Sequence, residues 1–234
     1  MKRSLITLGF AISIAVAGLS THEAKAGEGF YVGAHGGGNW MSAIDNTFSS
    51  PGISSTVALE QGNGYVVGGS AGYAWKNGLR AEGEVTYRRN SITGFNASAV
   101  VAGIPVTGSG AAVGNISNLA FMANGYYGVN ITDDLSLYAG GGVGAAILKV
   151  DGFRGVNGTA TFTDSKTVFA FQAIAGTAYM LSRNISLGVE YRFFGTSGTD
   201  FDDNVGGTNV NVAADGARNH SIMVNLKYYF SSGM

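Results

Sequence analysis

The strongest constraint on the fold of this chain is a pair of segments in which apolar and charged residues alternate strictly. The segments are 79–88 and 185–193, and both carry their large apolar side chains on one parity. The opposite parity of the two segments holds Arg80, Glu82, Glu84, Arg88, Glu190 and Arg192. A period of two residues is the period of a β-strand. The chain must therefore fold into a sheet that keeps an apolar face apart from a charged one.

Either segment alone is compatible with a half-exposed strand of a soluble protein, whose charged residues point into water. Six further alternating segments change this interpretation. The eight predicted strands run over 30–40, 63–75, 79–88, 117–129, 135–148, 167–181, 185–193 and 219–230. The two charged strands stand four apart in this order. In a closed barrel of eight strands they occupy opposite walls, where long side chains can meet across the lumen.

The connections between these strands alternate in length. Short turns are predicted at 76–78, 130–134 and 182–184, whereas long loops are predicted near 42–62, 89–116, 149–166 and 195–218. Short turns on one rim and long loops on the other are typical of bacterial outer-membrane barrels, whose short rim is periplasmic. A tilted strand of about 12 residues also matches the hydrocarbon thickness of a membrane. We predict an all-β fold, an eight-stranded antiparallel up-and-down transmembrane β-barrel.

The first 26 residues have the pattern of a secretory signal. A basic start at Lys2 and Arg3 precedes an apolar run from 5 to 19, and Ala24-Lys25-Ala26 is a small-residue cleavage site. The predicted domains are a signal peptide at 1–26 and a single outer-membrane barrel at 27–234. The chain has no cysteine and a net charge of only −1, so no disulfide framework and no nucleic-acid partner are expected.

The charged residues are expected to line the lumen. An Arg or Lys facing lipid at mid-depth costs about 2 to 4 kcal/mol, whereas opposite charges inside a barrel can compensate one another. The predicted lumen charge network consists of Arg80, Glu82, Glu84, Arg88, Glu190, Arg192 and Lys227. We interpret it as a plug that also sets strand register. An ion pathway is the alternative, although the interior of an eight-stranded barrel is only wide enough for side chains.

Aromatic residues are frequent, at 11% of the chain, and occur near the ends of the predicted strands. In a membrane barrel such residues form two girdles at the lipid–water interfaces. The candidate girdle residues are Trp40, Tyr73, Trp75, Tyr87, Tyr179, Tyr191, Phe193, Tyr228 and Phe230. In a soluble, lipocalin-like ligand-binding barrel the same rings would pack inside the core.

Three motifs carry a resemblance to a known family. They are GFYVG at 29–33 with its following triple glycine, NITDDLSLYAG at 130–140 and GVEYRF at 188–193. Together they resemble the outer-membrane β-barrel porin-like family, which includes opacity-type surface proteins, small surface antigens of alphaproteobacteria and OmpA-like transmembrane barrels. The resemblance implies location in the outer membrane of a Gram-negative bacterium. It also implies insertion by the outer-membrane assembly machinery, which reads a C-terminal strand containing Leu226, Tyr228 and Phe230.

Two chemical activities receive little support from the residues. Acyl hydrolysis needs a nucleophile and a base on one face. His220 and Ser221 are adjacent on a strand and so face opposite ways, and His35 has no serine two residues away. The cluster Asp200, Asp202, Asp203 and Asp215 lacks the spacing of an EF-hand loop and is more typical of a solvated acidic loop. We therefore expect no enzymatic activity, no cofactor and no metal.

Three functions remain open at this stage. The first is a porin-like or structural surface protein with a charge-plugged lumen and long extracellular loops. The second is a surface adhesin or host-interaction protein that binds a host or surface ligand through those loops. The third is a narrow ion channel. Each has outer-membrane lipid as its immediate partner.

Overall fold

The structure is a computed structural model, and it describes residues 28–42, 44–50, 53–101, 104–110, 113–154, 162–205, 208–214 and 216–230. The predicted signal peptide at 1–26 lies outside these residues. So do Asp215 and the side chains of Asp200, Asp202 and Asp203. The cleavage site and the acidic loop therefore stay predictions.

The described residues form strands and turns. The strands are β1 (Gly29–Met41), β2 (Ile44–Ser50), β3 (Ile53–Ala74), β4 (Leu79–Val101), β5 (Ile104–Gly110), β6 (Val113–Asn130), β7 (Leu135–Arg154), β8 (Phe162–Met180), β9 (Ile185–Thr196), β10 (Thr199–Val205), β11 (Thr208–Ala214) and β12 (Arg218–Tyr229). No helix within the described ranges has the length and apolar character to cross a membrane.

Eight of these strands close into a barrel. Each pairs antiparallel with its neighbour in the order β1, β3, β4, β6, β7, β8, β9 and β12, and β12 returns to β1. The closing pair runs from Tyr31 opposite Tyr229 to Met41 opposite Asn219. Closure leaves no unpaired edge in this part of the sheet. The predicted eight-stranded antiparallel barrel is confirmed.

The short turns lie at one end of the barrel, as predicted. The turn between β3 and β4 uses Gly78 at a φ of 83°, a conformation that glycine adopts without steric cost. The turn from β6 to β7 is closed by Thr132, whose side-chain oxygen accepts a hydrogen bond from the backbone N–H of Leu135 at 3.0 Å. These tight connections bring the neighbouring strands into the register on which the interior depends.

The prediction of long loops at the opposite end was wrong in its secondary structure. Much of 42–62, 89–116, 149–166 and 195–218 is strand, so the chain leaves the barrel as β-hairpins rather than as irregular loops. The hairpins join laterally into an extension sheet in the order β10, β11, β2, β3, β4 and β5. These segments lack apolar alternation. Sequence periodicity can identify a strand only where one of its faces is apolar, so it missed the extension.

A register irregularity marks the level at which the barrel passes into the extension sheet. Pairing between β3 and β4 shifts between Gln61 and Gly64, opposite Ile92 and Asn90. Bulges of this kind are common at the rims of barrels, where they bend a strand. Below this level, side chains alternate regularly between the interior and the outer face. The burial pattern of β9, with every second residue buried along most of its length, is an example.

Candidate functional site: the polar interior of the barrel

The interior of the barrel is polar and almost sealed. β4 contributes Glu82, Glu84 and Arg88, and β9 contributes Glu190 and Arg192, all of which are 6% exposed or less. Such burial is tolerable for ionised groups only when each finds a partner. The lipocalin-like alternative requires an apolar interior, whereas here the large apolar side chains face outward.

Arg192 is the central cation of the interior. One of its terminal nitrogens binds Glu84 Oε1, and the other binds Glu190 Oε1 at 2.6 Å. Glu84 also accepts a hydrogen bond from the Thr86 hydroxyl, and its second oxygen accepts one from Asn124 Nδ2 at 3.0 Å. Because β4 and β9 are four strands apart in the ring, this ion pair crosses the full width of the lumen.

Glu82 is the anion of a second group, nearer the short-turn end. Its Oε2 accepts hydrogen bonds from Lys227 Nζ and from the Tyr31 hydroxyl, both at 2.9 Å. Its Oε1 accepts one from the Tyr126 hydroxyl at 2.9 Å. Four strands therefore converge on one carboxylate. Hydrogen bonds to an ionised group are about twice as strong as neutral ones, so this group ties the walls together.

Glu190 has partners besides Arg192. Its Oε2 accepts a hydrogen bond from the Tyr138 hydroxyl at 2.9 Å, and Asn225 Nδ2 lies 3.0 Å from that hydroxyl oxygen. Tyr138 in turn packs edge-on against Tyr126, with ring centroids 5.9 Å apart. The Glu82 and Glu190 groups are thus joined through two tyrosines.

Two of the seven predicted network residues make no ion pair with a carboxylate of the described part of the chain. The Arg80 guanidinium lies over the Tyr126 and Tyr138 rings, at 5.0 and 4.4 Å from their centroids. Arg88 lies 4.0 Å from the centroid of the Phe194 ring. None of the three Arg88 guanidinium nitrogens has a hydrogen-bond acceptor among the described residues. The structure brings the other five charges together and leaves these two on aromatic faces.

Amide side chains close the interior at the extension end. Asn39 Nδ2 donates to Asn90 Oδ1 at 2.6 Å and to Asn219 Oδ1 at 3.0 Å, while Asn39 Oδ1 accepts from the Ser221 hydroxyl at 2.7 Å. His35 lies just below, with Nε2 3.3 Å from the Thr86 hydroxyl oxygen. This amide cap joins β1, β4 and β12.

Glycines make room for the large interior side chains. Across the strand pairs, Tyr31 lies opposite Gly72, His35 opposite Gly68 and Asn124 opposite Gly142. A Cβ at any of these glycines would come within contact distance of the facing side chain, and at Gly142 it would overlap Asn124 Oδ1. Small barrels fill their interiors by alternating large and small residues in this way.

Sequence reasoning did not identify the neutral partners of the charges. Tyr31, Tyr126, Tyr138, Asn124 and Asn225 supply most of the hydrogen bonds to the three carboxylates. Each lies on the same parity of its strand as the charged residues, and this was the available signal. Their roles depend on the register between strands, which parity does not specify.

The candidate girdle residues lie on the outer face, at its two ends. Near the short turns, Tyr73 packs against Phe30 and Trp75 at 4.9 and 5.1 Å, and Tyr228 packs against Phe230 at 5.3 Å. Near the extension, Tyr87 packs against Tyr65, and Phe193 packs against Phe171. Trp40, Tyr179 and Tyr191 are each more than 40% exposed on the same face. Between the two bands lie exposed aliphatic residues, including Val85, Val143, Val189 and Val224.

Ser221 and His220, the residues considered for hydrolysis, lie on opposite faces of β12. Ser221 is buried in the interior, where it donates to Asn39, whereas His220 lies on the outer side with its Nδ1 2.6 Å from the Tyr191 hydroxyl. A base and a nucleophile on opposite faces of one strand cannot exchange a proton. Among the described residues, no group of three His, Cys, Asp or Glu is arranged to hold a metal ion.

The interior leaves little free space. A cavity of about 50 Å³ lies at the short-turn end, lined in part by Arg80, Tyr138 and Tyr229. A cavity of that size has room for a few water molecules and not for an organic ligand. The apolar outer band, the closed strand ring and the polar interior are the three physical requirements for spanning a membrane with strands.

Comparison with known families agrees with this geometry. The family described as the outer membrane protein beta-barrel domain matches residues 11–230. The chain belongs to this outer-membrane β-barrel family. Membership locates it in the outer membrane of Gram-negative bacteria, with outer-membrane lipid around its apolar band, and the short turns of such barrels face the periplasm.

Solved structures of outer-membrane barrels resemble the chain at low sequence identity. Neisserial surface protein A shares 19% identity with a TM-score of 0.48, covering 86% of this chain and 97% of that one. The outer membrane protein AlkL shares 14% identity with a TM-score of 0.47, covering 93% and 99%. Ail, the attachment invasion locus protein of Yersinia pestis, shares 16% identity with a TM-score of 0.38, covering 82% and 99%. No curated protein matches the chain.

Proposed function

We propose that this chain is a structural, porin-like surface protein of the outer membrane whose lumen is closed by its own charges. The observation that carries the proposal is the ion pair between Arg192 and Glu84, which joins opposite walls of the barrel. With Glu190 bound to the same arginine and the Glu82 group nearer the short turns, the interior is filled by side chains rather than by a water column.

The energetics of the interior favour a plug over a pathway. An ion that entered the lumen would have to displace Arg192 from both of its carboxylates. Removing one partner of a buried ion pair typically costs about 3 to 5 kcal/mol, because the other charge is left buried and unpaired. A barrier of that size, repeated at the Glu82 group, supports a lumen that stays closed on the timescale of ion permeation.

Conductance in planar bilayers tests this function. The protein is refolded into lipid, its folding is verified by the difference in gel migration before and after boiling, and it is then applied at high load. We expect silent bilayers from the wild-type protein. A steady wild-type conductance that changes on Arg192→Ala would overturn the proposal in favour of the narrow channel. Arg183→Ala, at an exposed site in a short turn, is the matched control.

The extension sheet favours a second function, adhesion or recognition through the extracellular hairpins. β3 and β4 remain paired as far as Ile53 and Val101, far beyond the barrel, and β5 exposes Ile104 and Val106 to water. An ordered sheet with exposed apolar side chains is a surface on which a host or surface ligand can be bound. Binding that survives Arg192→Ala and is lost when the hairpins are trimmed would support this function. Binding that survives trimming would exclude it.

Insertion is proposed to follow the route of other outer-membrane barrels. β12 presents Leu226 and Tyr228 on its outer face, Phe230 directly follows the strand, and all three are about half exposed. Replacing Phe230 with Ser is expected to lower the amount of assembled barrel in cells that contain the assembly machinery, while refolding into detergent is retained. Equal losses in both assays would contradict recognition of the strand.

A further inference from the structure

Arg88 is the more deeply buried of the two interior arginines that make no ion pair with a carboxylate among the described residues. The seven lumen charges comprise four cationic and three anionic groups, and all three carboxylates are engaged by Arg192 or Lys227. Arg88 has no accessible surface at all, and its Nε, Nη1 and Nη2 all lack an acceptor among the described residues. The Phe194 ring offers about 1 to 2 kcal/mol through a cation–π contact, which does not offset the several kcal/mol that burying an ion costs.

A second buried donor belongs to the residue paired with Phe194 across the strands. Asn219 Nδ2 has no hydrogen-bond partner within the ranges that the structure describes, and Asn219 is fully buried. The Asn219 Oδ1 atom accepts a hydrogen bond from Asn39 Nδ2 at 3.0 Å. The unpaired Nδ2 is therefore the other terminal atom of the same amide. In the pairing of β9 with β12, Asn219 lies directly opposite Phe194, the residue on which Arg88 stacks. Phe194 therefore carries Arg88 on its ring and is paired across the strands with Asn219, and these two side chains hold four donor nitrogens without a partner among the described residues.

We propose that Arg88 is the centre of a binding site for a small monovalent anion of the halide class, with chloride as the physiological ligand. Asn219 Nδ2 is the second donor of this site. A halide neutralises the excess cationic charge and accepts hydrogen bonds from several directions. A water molecule would accept hydrogen bonds there but would leave the charge uncompensated. Both side chains are fully buried, which favours a compact anion that can lose its hydration shell over a large organic one.

The site lies between the ion-pair layer and the amide cap. Arg88 is four residues beyond Glu84 along β4, toward the extension sheet, and Asn90 of the cap follows it by two. The surrounding wall is apolar, since Phe194 packs in a buried cluster with Ala120, Met122 and Ala170. A low-polarity wall strengthens the attraction between a guanidinium and an anion. The anion would join side chains of different strands at this level, as Arg192 joins β9 to β4 at the level nearer the short turns.

Thermal unfolding at constant ionic strength tests the site. Refolded protein is titrated with sodium chloride while sodium gluconate is withdrawn, and the loss of the folded, fast-migrating gel form is followed with temperature. A ligand that binds only the folded barrel raises Tm in a saturable manner. We expect an increase of roughly 5 to 10 °C at a hundredfold excess over the dissociation constant. Bromide soaked into crystals should give an anomalous peak beside the Arg88 guanidinium.

Three variants assign the effect to Arg88. Arg88→Met is expected to abolish the chloride dependence without lowering Tm in gluconate, because it removes an uncompensated charge. Asn118→Asp provides a built-in counterion, since Asn118 is paired with Arg88 across β4 and β6 and has a buried, unpartnered Oδ1. This variant should raise Tm in gluconate and no longer respond to chloride. Arg89→Met, at the exposed neighbouring position, should respond as the wild type does.

Two results would overturn the proposal. The first is a wild-type Tm that is the same in chloride and in gluconate. The second is a chloride response that persists in Arg88→Met or in Asn118→Asp. Should Arg88→Met fail to fold, Asn118→Asp decides the question without removing the cation.

Discussion

Arg192 on β9 and Glu84 on β4 form an ion pair across the full width of the barrel, although 108 residues separate them in sequence. Both side chains are essentially inaccessible to solvent. The strands that carry them are opposite walls of an eight-stranded ring. This contact is possible because the lumen of such a ring is about as wide as two extended side chains.

Breaking this ion pair should destabilise the barrel strongly. Arg192→Met leaves Glu84 and Glu190 buried without their cation, and we expect the free energy of unfolding to fall by about 3 to 5 kcal/mol. Urea unfolding in lipid vesicles, followed by tryptophan fluorescence, measures the change. The double variant Glu84→Gln with Arg192→Met should lose less than the sum of the two single variants.

An exposed arginine provides the control for the Arg192 experiment. Arg183 lies in the turn between β8 and β9 and is exposed. Arg183→Met should change the free energy of unfolding by less than about 0.5 kcal/mol. Equal effects at the two positions would show that the interior pair does not hold the walls together.

Interior glycines should tolerate even a methyl group poorly. A Cβ at Gly142 would overlap Asn124 Oδ1, and Asn124 in turn binds Glu84 and accepts a hydrogen bond from Gln172. Gly142→Ala is expected to cost about 1 to 3 kcal/mol in the same urea assay, because an overfilled core must shift its neighbours. Gly125→Ala is the matched control, since nothing lies within 4 Å of its added Cβ. If both substitutions were neutral, the interior would be looser than its contacts indicate.

A charge on the outer face should be costly in proportion to its depth. Val189 is 51% exposed near the middle of the apolar band, and Leu181 is 56% exposed at the short-turn end. Val189→Arg is expected to destabilise the folded barrel by about 2 to 4 kcal/mol, and Leu181→Arg by about 0 to 1 kcal/mol. Equilibrium unfolding in vesicles gives both values. An equal cost at the two sites would contradict the proposed position of the membrane.

The two tryptophans should report the two lipid interfaces. Trp40 and Trp75 lie at opposite ends of the outer face, and both are nearly half exposed. The span from Phe30 to Trp40 along tilted β1 corresponds to about 25 Å, the height of an outer-membrane apolar band. Trp40→Phe and Trp75→Phe each leave one reporter. In either variant, lipids brominated near the headgroup should quench fluorescence more than lipids brominated near the chain end. The reverse order would place that ring at the bilayer centre.

Sequence periodicity predicted the barrel strands well and the hairpins of the extension sheet poorly. Alternation between apolar and charged residues located β9 and the lower part of β4 because those strands separate lipid from a polar lumen. The same β4 continues to Val101. Its upper part belongs to the extension sheet and not to the wall between lipid and lumen, so no periodic apolar face is needed and no pattern arises. The end of β4 was therefore predicted more than ten residues too early. The reason is that this part of the strand does not need an apolar face, and not that its strand propensity is weak.

The contacts in the barrel interior could be predicted only in part from the sequence. Parity placed Glu82, Tyr31 and Lys227 on the same side of their strands, but nothing in the pattern indicated that these three meet. The pairing of Tyr31 with Gly72, which leaves space for the ring, depends on register and so on every turn along the chain. Arg88 illustrates the limit. Its parity equals that of Glu84, yet it is directed at Phe194 rather than at a carboxylate.

The sequence by itself determined that this chain forms a β-sheet with one apolar face and one charged face, because a period of two residues is a local property of the backbone. It also determined the number of crossings, through the alternation of short and long connections. Only the tertiary structure decided which charges pair, which glycines face large side chains and which two cations lie on aromatic rings instead of beside a carboxylate. Those outcomes depend on ring closure and on shear between strands, and both arise from contacts between residues far apart in the chain.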